Sequence, residues 1–496
     1  MIRSLLLITT LMLAILIGYG NYNIITLIFI ISSILFPPII FKYKEYPERS
    51  IYLFLILWIT FPKFIRYLPI IGTYDLPGIN YFDILQAIFS FHIIFLLIRN
   101  GYKKITDFGL PLKIKKLTIF YFITIFIVSV LGLLRYYLFI PTISRIEFGN
   151  YIELLFTPFV GIIFFLGLFA FIKKFNQVEK ILYVFVLAGI LLLFEHLILV
   201  QLNLFDALKI YAYAADQVRF NSLIYGSYDI KGIFCVLSSL SILYLSFKKR
   251  KYYLIILALL MIIPISETYQ RTPYIGYFLG LITFFIIYIR RKKQFTRFVF
   301  LILLLLTTSF LIFNQQLISN NFNNFLTGNQ MVRQEVNENQ SLYDRIGLWY
   351  RAADIFIYSF PFGIGEGMYE VYALQGSVPK YMYPFLPHRS KDSYRAINTE
   401  KATKVHNVYI QFISEYNVLG LLGLWFFVLQ ILRHIRNKKF DESDHISNIY
   451  KSTVVSMIIA LAVMNMFDSV IRLYFIYGML FFFTYIFSKS KSELNV

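Results

Sequence analysis

The stretch VHNVYIQFISEYNVLGLLGL (405–424) places His406, Asn407 and Glu415 where a long polar segment gives way to a run able to cross a membrane. A lipid-facing helix has no use for such side chains, so another demand put them there. Upstream, Arg345 sits in SLYDRIGLWYRAADIFIYSFPFGIGEG, while Arg219 in DQVRFNSLIYGS and Arg271 in SETYQRTPYIG stand beside apolar runs. Arginine offers a planar fork of donors that grips phosphate or carboxylate oxygens. Gathered at one membrane face, these arginines and the histidine read as a site for an anionic, lipid-attached substrate. Plainer readings stay open: a span-end arginine can be a snorkelling anchor, and Asp468 with Arg472 can be a structural i,i+4 pair. Glu195 and His196 can equally be polar glue between helices.

Local patterns suggest how these residues are held. Ser341 and Asp344 have capping-box spacing, which predicts a helix starting there and ending before Pro361. Arg345, Leu348, Trp349, Ala352 and Phe356 then share one stripe, with Arg345 in the first turn, where free N–H groups favour an anion. The turn PFGIGEG follows. Its Gly363 and Gly365, with Glu366 between them and Gly367, allow a backbone that cradles phosphate oxygens, or a simple re-entrant turn. Over 404–415, Asn407, Gln411 and Ser414 form a polar stripe opposite Val405, Val408 and Phe412, which predicts a helix lying on the membrane surface. Asn417 would then turn the chain into the last large hairpin.

The elements that must carry this site are membrane helices. With 58% hydrophobic and only 15% charged residues over 496 positions, the chain is too apolar for a soluble protein. The expected fold is an all-α polytopic membrane protein of about 12–14 transmembrane helices with one large extracytoplasmic loop containing short helices. An N-terminal bundle of about 11 spans would fill 1–314, the loop 315–416, and the remaining spans and a cytoplasmic tail 417–496. The N-terminal run reads as an uncleaved first helix, because no clear small-residue cleavage site follows it.

The net charge of +20 is a topology signal rather than a nucleic-acid footprint. Basic clusters recur after every second span, as at KYKEYPER near 42, KKRK at 248 and RRKK at 290, which puts both termini in the cytoplasm and the long loop outside. The single cysteine, Cys235, excludes intrachain disulfides and Cys-rich metal sites.

Two motifs taken together resemble the O-antigen ligase and polymerase family of bacterial envelope glycosyltransferases. They are R-x-x-L-W … P-F-G-I-G-x-G at 345–367 and H-N-x-Y-x-Q-x-x-x-E-x-x-x-x-G-L-x-G at 406–423. RFNS at 219 and YQRTP at 269 are similar to the family's two further arginine positions, although Gln precedes Arg271 where the family has Ser. The family's Glu-x-Gly turn stands here as Glu415-Tyr416-Asn417.

That resemblance implies a transferase of the bacterial cytoplasmic (inner) membrane, with its active site on the extracytoplasmic side and no metal or other cofactor. The donor would be a glycan on undecaprenyl diphosphate, and the acceptor a lipid-linked glycan or lipid A core. His406 would be the general base or the residue that orients the acceptor; an unperturbed histidine, titrating near about 6.5, suits that task. Arg345 and Arg271 would hold the diphosphate with Arg219 in support, and Asn407, Glu366, Glu415, Gly363 and Gly365 would line the substrate site. Polymerase is the preferred reading and ligase the alternative. A lipid-linked oligosaccharide flippase is the rival from another class, but it requires charges along a central path, whereas polar residues here concentrate outside the spans.

Overall fold

The computed structural model describes residues 46–60, 81–101, 112–139, 148–201, 211–214, 217–220, 228–266, 268, 271–289, 332–365, 368–374, 378–387, 391, 394, 405–436, 445–467 and 474–487. Its helices are α1 (Pro47–Thr60), α2 (Tyr81–Arg99), α3 (Leu112–Phe139), α4 (Phe148–Phe171), α5 (Phe175–Gln201), α6 (Tyr228–Lys249), α7 (Leu254–Leu260) and α8 (Ile262–Ser266). They continue as α9 (Arg271–Ile289), α10 (Val332–Tyr358), α11 (Tyr369–Leu374), α12 (Val408–Arg436), α13 (His445–Phe467) and α14 (Tyr474–Phe487). Among the described residues, five helices are long and apolar enough to cross a membrane, and four shorter apolar stretches accompany them. The expected spans at 5–20, 24–41 and 298–314 lie outside the described residues.

The fold is helical as expected, with one departure. Strands β1 (Tyr211–Ala214) and β2 (Gln217–Phe220) pair antiparallel, setting Ala212 opposite Arg219. The apolar stretch Leu254–Ser266 is made of two short helices, α7 and α8, meeting at Met261. Pro264 has no N–H to offer the carbonyl of Leu260, so the helical ladder cannot run straight through.

The centre of the bundle is α6, whose membrane-length window is almost wholly buried. It is largely apolar, and small polar residues within it pass hydroxyls to carbonyls: Ser241 donates to Leu237 at 2.8 Å and Ser239 to Ala258 at 3.0 Å. Small side chains let neighbouring helices come close without leaving a polar atom in lipid. Around α6 pack α5, α7, α9 and α13, while α14 lies on α4. At one end, Glu179 accepts from both Lys248 and Tyr244, so the carboxylate is paired and hydrogen-bonded where α5 meets α6.

Contacts fix which helix ends share a face of the bundle. Gly276 of α9 faces Met464 of α13 and Gly280 faces Ala460, so the two helices run antiparallel and Arg271 starts α9 beside the end of α13. Gly232 meets the ring of Pro273, which brings the start of α6 to the same end. That end receives the chain segment carrying His406.

Candidate active site

The segment before α12 is held between two bodies. On one side, the indole Nε1–H of Trp349, in α10, donates to the carbonyl of Val405 at 3.0 Å. On the other, the Asn407 amide donates to the carbonyl of Met466, near the end of α13, at 2.9 Å. His406 lies between these anchors with φ 54°, in the left-handed region that residues other than glycine rarely adopt. Its side chain is half-buried.

Asn407 also begins α12. Its side-chain oxygen accepts from the N–H of Ile410 at 3.0 Å, and its carbonyl accepts from the N–H of Gln411, which is how an asparagine caps a helix N-terminus. Two residues on, the Tyr409 hydroxyl donates to Ala462 at 3.1 Å, a second tie to α13. The expected surface helix is therefore corrected. Gln411, Ser414 and Glu415 are buried, Gln411 Nε2 donates to Glu415 Oε1 at 3.0 Å, and Phe412 stacks on Tyr416 inside the protein. The polar stripe faces protein because its groups satisfy one another there, and a membrane surface is not needed to explain it.

At Asn417 the helix kinks, with φ 50° and ψ −130°. The side chain supports the break by donating to Phe356 O at 2.7 Å and to Ser359 Oγ at 3.2 Å. These ties bring the end of α10 and the glycine turn onto the kink. Gly365 N–H donates to Glu415 O at 3.1 Å, and Gly363 N–H donates to Ser359 O at 3.0 Å. A Cβ on Gly363, whose φ is 77°, would stand 2.2 Å from Glu415 O. Gly365, at φ 109°, leaves room for Gly132 of α3 in the same way. Both glycine N–H groups are thus committed within the chain, and the turn packs the loop against the kink.

A second correction concerns Arg345. Helix α10 begins at Val332, not at the Ser341 capping box, so Arg345 lies well inside the helix and away from its positive end. The stripe expectation holds better: Leu348 and Ala352 are buried, while Arg345, Trp349 and Phe356 are half-buried beside them. Pro361 follows the helix end, as expected. Arg219 and Arg271 are placed by backbone alone, in β2 and at the start of α9; their side chains, and all of Glu366, lie outside the described residues.

Arg351 escaped the sequence reading. Its side chain is fully buried in the centre of the inward face of α10. It donates to Ala373 O at 3.2 Å and Val378 O at 3.1 Å, with Asp354 at 3.7 Å. Asp354 in turn accepts from Met382 N at 2.7 Å and from the Tyr394 hydroxyl. Burial and the bond to Asp354 push the Tyr394 phenol above its ordinary range, and burial does the same to Tyr369, whose hydroxyl donates to Leu348 O at 2.9 Å. One charged pair thereby ties the end of α11, Val378, Met382 and Tyr394 to α10. The available signal was an Arg–Asp pair at i,i+3 inside an apolar helical pattern.

Alongside the kink, an apolar cavity of about 410 Å³ runs between α3, α4, α12, α13 and α14. Leu117, Phe165, Leu424 and Leu432 are among its apolar lining, and Gln411 and Glu415 also line it.

Residues 254–428 match the family model described as O-antigen ligase. This stretch is similar to the O-antigen ligase family. It runs from α7 through most of α12, so it holds Arg271, Arg345, the glycine turn and His406 together. Members of the O-antigen ligase family are ligases and polymerases acting on glycans. No curated protein matches the chain.

Proposed function

We propose that the protein is a membrane glycosyltransferase that polymerises undecaprenyl-diphosphate-linked repeat units on the outer side of the bacterial cytoplasmic membrane. The observation that carries this reading is the fixed position of His406, anchored to the Arg345-bearing helix on one side and to the membrane bundle on the other. The acceptor hydroxyl attacks the anomeric carbon of the donor, its proton passes to His406, and the sugar–phosphate bond breaks. Arg345 and Arg271, with Arg219 in support, take the negative charge that develops on the diphosphate. Preorganised donors of this kind are worth about 3–4 kcal/mol each in a transition state.

Asn407 and Glu415 act in this scheme by holding the His406 segment and the kink, and Gly363 and Gly365 by seating the loop. The apolar cavity that reaches Glu415 supports a donor carried on a lipid chain, and the donor set is arginine, so no resident metal is required for charge stabilisation. The positive-inside distribution of Lys and Arg supports the outer location and cytoplasmic termini. Transfer to lipid A core is the second reading, favoured by the description of the matching family model.

Size analysis of envelope polysaccharide tests both. A deletion strain carrying wild type, His406→Ala or Arg345→Ala, with insertion checked by blot, is expected to show single repeat units on the lipid anchor for the two variants. Full-length chains stranded on the carrier lipid would make the protein a ligase. An unchanged ladder with either variant would overturn the reading.

A further inference from the structure

We infer that Trp349 is a positioning residue for His406, and that its indole N–H, rather than its bulk, is what the site uses. The inference rests on the proposed role of His406. Trp349 stands one turn beyond Arg345 on α10, and its Nε1–H ends on the carbonyl of Val405, the peptide unit that leads directly into His406. Val405 is fully buried in the small core formed with Leu348, Ala352, Ile355, Ile364, Met368 and Tyr372, so the carbonyl has a fixed partner on a fixed body.

What the bond controls is a backbone conformation. His406 at φ 54° has to be held there, because an L-residue gains nothing locally from that region. Asn407 secures the following residue to α13 and to the first turn of α12. The Trp349 N–H holds the preceding peptide from the side of α10. With the packing of Val405 on Leu348 and Ala352, that bond keeps the helix carrying Arg345 and the loop carrying His406 in a common register.

The test uses membranes of the host strain containing the full chain, with the host's own lipid-linked repeat units as donor. Trp349→Phe keeps an aromatic ring and deletes the donor. The expected result is wild-type insertion, KM within about two-fold, kcat down ten-fold or more, and a shifted acid limb in the pH–rate profile. His406→Ala runs beside it. If Trp349→Phe matches wild type in kcat and pH profile while His406→Ala is inactive, the positioning role is wrong and the proposed function survives. If Trp349→Phe only lowers the amount of inserted protein, with turnover per molecule unchanged, Trp349 is structural and the inference is likewise overturned. Wild-type turnover with His406→Ala sinks the functional reading itself.

Discussion

The N–H of Gly365 donates to the carbonyl of Glu415 at 3.1 Å, so the glycine turn after α10 and the kink in α12 are one structural unit. The turn takes positive φ at Gly363 and Gly365, and the Glu415 carbonyl that it binds lies two residues before the non-helical Asn417.

Gly363→Ala tests that unit. The added Cβ would meet Glu415 O at 2.2 Å and also force a non-glycine residue to φ 77°. Backbone strain alone costs about 1–3 kcal/mol. A lowered melting temperature in detergent is expected, together with loss of glycan transfer; wild-type behaviour in both would show that the two segments separate freely.

His406→Gly separates chemistry from conformation. Glycine accepts φ 54° without penalty, so thermal stability should equal or exceed wild type. Transfer should fall by about 100-fold or more, the usual contribution of a general base, and added imidazole should restore part of it. Transfer that stays near wild type in the absence of imidazole would remove His406 from the reaction.

Arg345→Lys keeps the charge and discards the fork. A reduction in transfer of at least about ten-fold is expected, because an ammonium cannot make the paired bonds that a guanidinium offers to phosphate oxygens. Equal rates for lysine and arginine would assign Arg345 a generic electrostatic role.

Arg351→Met leaves Asp354 buried with its countercharge gone, a change that costs about 3–5 kcal/mol for a buried pair. Limited proteolysis should then cut within 372–394. Replacing both residues, as Arg351→Met with Asp354→Leu, should recover part of the loss, since the second change removes the stranded charge.

Alkaline pH should loosen the same segment. Tyr369 and Tyr394 titrate above the ordinary phenol value in the folded chain, chiefly because they are buried. Their contribution to stability is therefore complete below about pH 10 and declines as pH rises beyond it, where the unfolded segment ionises and the folded one does not. Proteolysis of 372–394 measured between pH 8 and 11 should accelerate only in the upper part of that range.

What could be read from sequence was the part governed by hydropathy and motif spacing. Long apolar helices were legible because lipid leaves the backbone few options, and the Arg345 and His406 motifs fell inside one domain. Less legible was anything that depends on who faces whom. Gln411, Ser414 and Glu415 had the spacing of a wet stripe, yet they turn inward because they bond to one another. Ser341 and Asp344 had capping spacing, but α10 begins earlier, at Val332, so local capping signals were overridden. Arg351 drew no reading from the sequence, and the tertiary carbonyls of Ala373 and Val378 explain its burial.

Glu415 lines the apolar cavity, and its carbonyl accepts from the N–H of Gly365 in the glycine turn. The loop and the cavity therefore share a residue, and the ties from Asn417 to Phe356 and Ser359 hold them in the same body of protein. A membrane grown thinner or thicker would tilt the helices and leave the distance between cavity and loop unchanged.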